Sequence, residues 1–315
     1  MTDRQGRVCH AAFDGNHGSN NRCGFAAVFG ASNVGKSTLV NRLVGTKVSI
    51  VSPKVQTTRS KILGIFSEQE TQVVLVDTPG VFLPRSRLDR AMVSAAWNGA
   101  AGADEVLLLL DSVKGYEAGS RRVVDQLKSL KRKTVLVLNK VDLVNKPSLL
   151  RLTEILSKEQ IFTETFMISA KTGEGVGQLK AFLAKSLPEG PWLFPEDQVS
   201  DMTDRLLAAE ITREKLYVQL HNELPYASAV QTEGWVSNND GSVRIDQVIF
   251  VERDSQKGII VGNGGRQIKK IGQEARKDLE KLLERRVHLF LFVKVREKWV
   301  DDPNRYREIG LDFNS

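Results

Sequence analysis

The chain has 315 residues, enough for two domains that each bury a core, and its 41% hydrophobic and 26% charged content fits a soluble globular protein. No apolar run approaches the roughly 20 residues that span a bilayer; the longest, residues 106–110, is strand-sized. The net charge is +7, and the window 253–298 holds 13 Lys or Arg against 6 Asp or Glu, so that one window carries the whole surplus. Such a basic C-terminal part is expected to meet a polyanion, against the plainer alternative of a solvated helix face.

Residues 1–22 are polar and rich in Gly and Asn, as expected of a disordered tail. They lack the apolar centre of a secretory signal, and Asp3 and Asp14 interrupt any mitochondrial presequence. The two cysteines, Cys9 and Cys23, have neither metal-ligand spacing nor a disulfide framework, which suits a reducing cytoplasm.

Residues 25–29 are apolar and strand-like, and residues 38–43 carry apolar side chains at helical spacing. Between them stand Gly30, Ala31, Ser32, Asn33, Val34, Gly35, Lys36 and Ser37, followed by Thr38: a G-x-x-x-x-G-K-S phosphate-binding loop in its proper setting. Its glycines let backbone N–H groups wrap a phosphate chain at a helix N-terminus. Lys36 is placed to reach the β- and γ-phosphates, and the Ser37 hydroxyl to ligate magnesium.

Downstream, Gln56-Thr57-Thr58-Arg59 is a candidate mobile segment that senses the third phosphate, with Thr58 preferred over Thr57 as a magnesium ligand. A strand at residues 72–76 delivers Asp77, Thr78, Pro79 and Gly80. Asp77 is expected to hold magnesium through water opposite Ser37, and the Gly80 N–H to approach the γ-phosphate. Lys36, Asn33, Thr58 and Gly80 are the candidate catalytic residues.

A helix is expected over 88–103, and buried strands over 106–110 and 134–138. The second strand leads into Asn139, Lys140, Val141 and Asp142, which selects the base. A buried Asp142 carboxylate accepts two hydrogen bonds from guanine N1–H and its exocyclic amine, and adenine offers no such donor pair. Asn139 would tie this segment to the phosphate loop, and the Lys140 stem would lie along the base. A strand over 165–168 leads into Ser169, Ala170 and Lys171, where the Ala170 N–H would donate to guanine O6. Strands alternating with helices give a doubly wound, mostly parallel sheet with the site at its C-terminal edge, and a GTP/GDP-binding domain over 23–187. Signalling GTPases carry glutamine after the D-x-x-G glycine; here Val81 stands there and cannot orient water. Hydrolysis is therefore expected to be slow or to use another element, with Asn33 offering a carbonyl oxygen where some relatives use an arginine or a potassium ion.

Pro188, Pro191 and Pro195 mark a semi-rigid linker over 188–201. Residues 202–315 form the second domain: a helix to about residue 223, strands over 227–236 and 243–251, a glycine-rich region, a helix over 267–284 and a strand over 287–295. Residues 258–261 read locally as a strand. Gly262, Asn263, Gly264 and Gly265 open a helix, with Lys257, Arg266, Lys269 and Lys270 around them. That pattern suits a backbone clamp on single-stranded nucleic acid, although a G-x-x-G alone is as often a plain turn.

With NVGKS, QTTR, DTPG, NKVD and SAKTG in the first domain, and ITREKL, ELPY, residues 258–280 and VHLFLFVKV in the second, the chain resembles the Era family of bacterial GTPases over nearly all its length after the tail. The resemblance implies a Ras-like G domain joined to a smaller α+β type II KH domain that holds the 3′ end of small-subunit ribosomal RNA. It further implies a role in small-subunit assembly, with GTP favouring the RNA-competent arrangement, and potassium stimulation through Asn33. It implies a peripheral fraction at the inner membrane for some members. A cytoplasmic monomer is expected. Ser32 departs from the proline usual in the family, next to the γ-phosphate. Two other readings stay open: a nucleotide-dependent scaffold with negligible hydrolysis, and a signalling switch docked to membrane phosphates.

Overall fold

The computed structural model describes residues 21–52, 54, 62–81, 84, 87–220, 224, 228–296 and 312. The QTTR segment with Thr58, Cys9, Phe82, Pro225 and nearly all of residues 1–20 and 297–315 lie outside them. Two compact units emerge: one from described residues within 1–46, 62–78 and 97–201, the other from those within 47–61, 79–96 and 202–315.

The first unit is built on a six-stranded sheet of β1 (Arg22–Phe29), β2 (Ile62–Glu68), β3 (Thr71–Asp77), β4 (Glu105–Asp111), β5 (Thr134–Asn139) and β6 (Phe162–Ile168). Its order is β2-β3-β1-β4-β5-β6; β2 runs antiparallel to β3 and every other pairing is parallel. Strands β3, β4 and β5 are almost continuously apolar and buried, as strands covered on both faces must be. Helices α1 (Lys36–Val44), α3 (Ala118–Ser129), α4 (Lys146–Ser157) and α5 (Val176–Ser186) punctuate the strands, while α2 (Arg87–Ala101) is divided, residues 87–96 grouping with the second unit. Parallel strands send their loops to one edge. The segments after β1, β5 and β6 and the Asp77 end of β3 therefore converge there, beside the point where the chain turns from β3 to β4 across β1.

Two details differ from the sequence-based expectation. The first strand begins at Arg22, within the expected tail, because Arg22 pairs with Thr71 and its Nη1 donates to the Leu187 carbonyl at 2.7 Å. Strand β2 also comes directly after the QTTR segment, where the local pattern gave no separate signal. The proline-rich stretch lies along this unit. Gln72 accepts at Oε1 from the N–H groups of Leu193 and Phe194, and Ser200 Oγ donates to the Leu63 carbonyl. Trp192 and Phe194 pack on Cys23, Ile65 and Val74.

The second unit contains α6 (Asp204–Gln219), β7 (Ala229–Ser237), β8 (Val243–Val251), α7 (Asp254–Val261), α8 (Arg266–Leu283) and β9 (Val287–Val295). Thr203 caps α6, its Oγ1 accepting from Leu206 N, and Leu220 ends the helix in an extended conformation, before the expected residue 223. The sheet order is β7-β8-β9, with β8 antiparallel to β7 and parallel to β9. On α8, Ile271, Ala275 and Leu279 recur every four residues and are buried. Ile271 joins Leu216, Ile249 and Ile260 in one cluster, and Leu279 joins Ile211, Ile245 and Val287 in another.

Residues 258–261 are helical, not extended. Gln256 Oε1 accepts from the N–H groups of Glu252 and Arg253, which fixes the first turn of α7. Ile260 then falls on the core side, fully buried, while Ile259 stays 58% exposed. Helical spacing separates these two neighbours, and the local β-branched preference yields to that packing.

Candidate functional site

The phosphate loop owes its course to glycine. Gly30 has φ +146°, and a Cβ there would lie 2.5 Å from the Leu109 carbonyl oxygen. Gly35 has φ +103°, and a Cβ there would lie 2.3 Å from Asn139 Nδ2. Asn33 adopts φ +64°, a left-handed conformation that asparagine tolerates. Gly35 immediately precedes α1, so the helix N-terminus opens into the loop. Lys36 Nζ donates to the carbonyls of Gly30 and Ala31, at 3.2 and 2.8 Å. Burial lowers its pKa to about 8, partly offset by Asp77. Ser37 Oγ donates to Asp77 Oδ2 at 2.9 Å, and Asp77 is fully buried at the end of β3. Ser32 Oγ is buried without a hydrogen-bond partner among the described residues. A steric cradle, a buried lysine of lowered pKa and a Ser–Asp pair together fit a phosphate chain with a hard divalent cation.

Thr78 turns inward: it is fully buried and its Oγ1 donates to the Val28 carbonyl at 2.8 Å, so it ties β3 to β1. Pro79 and Gly80 group with the second unit. Thr58 lies outside the described residues.

The base-recognition loops are held by Asn139. Its Nδ2 donates to the Val34 carbonyl at 2.8 Å, and its Oδ1 accepts from Ala170 N at 2.9 Å. One side chain thus fastens the phosphate loop to the loop after β6. Lys140, with φ +65°, sends Nζ to the Asn33 carbonyl at 3.0 Å and to Asp111 Oδ2 at 2.6 Å. Asp142 sits in a short 3₁₀ turn, Val141–Leu143, and is exposed. The expectation of a buried carboxylate is corrected here: the protein alone leaves Asp142 in water, and a base would have to cover it. Ser169 is fully buried, its Oγ accepting from Thr172 N, while Lys171 is exposed. Sequence reasoning missed Arg42 and Asp111. Arg42 Nε donates to the Ala170 carbonyl at 3.1 Å and Nη2 to the Lys171 carbonyl. Neither residue belongs to a local motif, and only the folded sheet brings them to the loops.

In the second unit, Gly262 (φ +71°) closes α7 with its N–H on the Gly258 carbonyl, and a Cβ there would lie 2.7 Å from Gln267 Cβ. Gly264 and Gly265 also have positive φ, but a Cβ on either would meet nothing within 4 Å. Gly265 begins α8. Lys257, Asn263, Arg266, Lys269 and Lys270 are exposed, and none of the four cations pairs with a carboxylate among the described residues. The turn is an open, cationic helix N-terminus suited to phosphates.

The fold and its loops define a P-loop nucleotide-binding protein with a second α+β module. Residues 25–140 match the family model of the 50S ribosome-binding GTPase, and residues 223–300 that of the KH domain. The chain is 58% identical over 292 residues to GTPase Era of Brucella suis biovar 1, covering 93% of this chain and 94% of that one. It is 59% identical over 292 residues to GTPase Era of Rhizobium meliloti, covering 93% of each. A crystal structure of Era in complex with MgGDPNP and nucleotides 1506–1542 of 16S ribosomal RNA superposes with a TM-score of 0.86 at 38% identity, covering 92% of this chain and 99% of that one. Aquifex aeolicus Era bound to GDP.AlF4- gives the same score, identity and coverage. The chain belongs to the Era GTPase family. It is a GTPase that binds GTP and GDP.

Proposed function

We propose that the chain is a GTP-hydrolysing switch that binds the 3′ end of small-subunit ribosomal RNA and assists assembly of the small ribosomal subunit. The observation that carries this reading is Asn139, which joins the phosphate loop to the Ala170 loop and so makes phosphate and base recognition one rigid feature. Gly262, Asn263, Gly264 and Gly265, with Lys257, Arg266, Lys269 and Lys270, supply the RNA clamp. A relative bound to 16S ribosomal RNA supports that assignment.

Ser37 and Thr58, with Asp77 through water, would hold magnesium, which would supply positive charge to the phosphates. Lys36 carries the phosphate charge, Asp142 accepts from the guanine N1–H and amine, and Ala170 N–H donates to O6, sharing that hydrogen with Asn139. Gly80 N–H and the Thr58 segment sense the γ-phosphate and release it after hydrolysis. With Val81 unable to orient water, Asn33 is the candidate for recruiting potassium in place of a catalytic arginine. Residues 23–187 then act as the nucleotide domain, 188–201 as the linker and 202–315 as the RNA domain. The proposal extends to a cytoplasmic monomer with a peripheral inner-membrane fraction, supported by the family resemblance and the basic window.

Val81 favours the second reading, a scaffold with negligible hydrolysis. Single-turnover GTP hydrolysis in potassium and in sodium separates the two. A switch hydrolyses measurably faster in potassium, and Asn33→Ala removes the difference. A scaffold shows the same negligible rate in both.

A further inference from the structure

Arg42 stands in the last turn of α1, the helix that starts at Lys36, about 9 Å of helix rise away. Its guanidinium reaches the loop after β6, where Nε donates to the Ala170 carbonyl at 3.1 Å and Nη2 to the Lys171 carbonyl. That loop is closed on itself: Gly173 N donates to the Ser169 carbonyl at 2.8 Å and Ser169 N to the Glu174 carbonyl at 2.9 Å. Gly173 has φ +97°, and even a Cβ there would come no nearer to Arg42 Nη1 than 3.9 Å. The Ala170 residue is therefore gripped twice, at its N–H by Asn139 and at its carbonyl by Arg42.

A trans peptide places its N–H opposite its carbonyl. Drawing the Ala170 carbonyl towards α1 turns the Lys171 N–H the other way. With both carbonyls on the α1 side and the Thr172 N–H taken by Ser169 Oγ, the donors left to a base edge are the Lys171 N–H and the Ala170 N–H that Asn139 shares. Guanine O6 needs donors; a loop free to turn a carbonyl outwards would repel O6 and accommodate the adenine amine. The guanidinium fork matches two neighbouring carbonyls, whereas an ammonium is a point donor.

We propose that Arg42 is a positioning residue for guanine recognition, holding the carbonyls of Ala170 and Lys171 on α1 so that the loop offers only N–H groups to O6. This rests on the proposed pairing of the Ala170 loop with O6. α1 thereby fixes both ends of the nucleotide, the phosphates through Lys36 and Ser37 and the base through Arg42.

The test measures GDP, inosine diphosphate and 6-thioguanosine diphosphate affinities on the full chain and its Arg42→Met and Arg42→Lys variants. Inosine keeps O6 and lacks the amine; the thio analogue keeps the amine and replaces O6 by a weak acceptor. Arg42→Met is expected to weaken GDP and the inosine nucleotide equally, by about tenfold, and the thio nucleotide by less than threefold. Arg42→Lys recovers part of the loss for GDP and the inosine nucleotide. Equal losses for all three nucleotides would reduce Arg42 to a brace of the fold and overturn the proposal. A wild-type chain that bound GDP and its thio analogue equally would refute the O6 assignment beneath it, a separately visible failure.

Discussion

The two glycine-bearing sites look alike in sequence and differ in kind. At the phosphate loop, Gly30 and Gly35 combine positive φ with a Cβ position already taken, by the Leu109 carbonyl and by Asn139. At the second site only Gly262 is packed in that way, against Gln267, whereas Gly264 and Gly265 share the positive φ but face open space. The phosphate-binding part of the first site is held in place by the protein, with Lys36, Ser37, Asp77 and Asn139 all bonded to protein partners. The second is an exposed turn whose cations have no carboxylate partners among the described residues, so the ligand must supply the opposing charge. Rejection of wrong ligands is thus a matter of shape and buried hydrogen bonds in one site, and of solvent-exposed charge and close backbone approach in the other.

The contrast can be broken most strongly at Gly35. Gly35→Ala forces a Cβ onto Asn139 Nδ2 at a backbone angle that L residues avoid. It is expected to weaken GDP by about 100-fold or more, the equivalent of roughly 3 kcal/mol, while RNA binding without nucleotide is unchanged. Titration with a fluorescent GDP analogue reads the first effect and gel shift the second.

At the open site the same logic predicts a graded response. Lys269→Ala with Lys270→Ala is expected to weaken the RNA oligonucleotide about tenfold at moderate salt and to reduce the slope of log affinity against log salt by about 1 to 2. Steady-state GTP hydrolysis without RNA stays at the wild-type rate. An unchanged salt slope would remove these lysines from the interface.

The smallest effect concerns protons. Burial depresses Lys36 to about 8 in the protein alone, and phosphates favour its charged form, so its pKa rises on binding. Nucleotide binding then takes up a proton above pH 8. Affinity is complete below that value and falls as pH rises through it, by about fourfold at pH 8.5 relative to pH 7. Calorimetry in buffers of different ionisation enthalpy would show the proton uptake directly. The same affinity at both pH values, with no buffer dependence, would mean that Lys36 is already fully charged in the empty loop.

Legibility in the sequence depended on where each constraint lies. The phosphate loop, Asp77, Asn139 and Ala170 were readable because each chemistry demands a residue type at a chain position fixed by a strand end. Strands β8 and β9 were readable from β-rich apolar runs bounded by turns. Strand β2 was missed because Ile62–Glu68 comes after the QTTR segment without punctuation, and its pairing with β3 is tertiary. Helix α7 was misread because Gly258, Ile259, Ile260 and Val261 favour extension locally, whereas Gln256 and the burial of Ile260 decide for a helix. Burial was expected of Asp142 because a carboxylate that reads guanine is covered once the base is bound; in the protein alone it is in water. Arg42 and Asp111 act across 128 and 29 residues of chain, distances over which no periodicity speaks.

Whether the nucleotide bound at the shaped site sets the affinity of the open RNA site is measurable directly. Fluorescence anisotropy tests it, with an oligonucleotide copying the small-subunit ribosomal RNA 3′ end beside a scrambled one, at fixed salt, with a non-hydrolysable GTP analogue and with GDP. Tighter binding of the true sequence is expected, and more so with the GTP analogue. Equal binding of both oligonucleotides, indifferent to nucleotide, would contradict it.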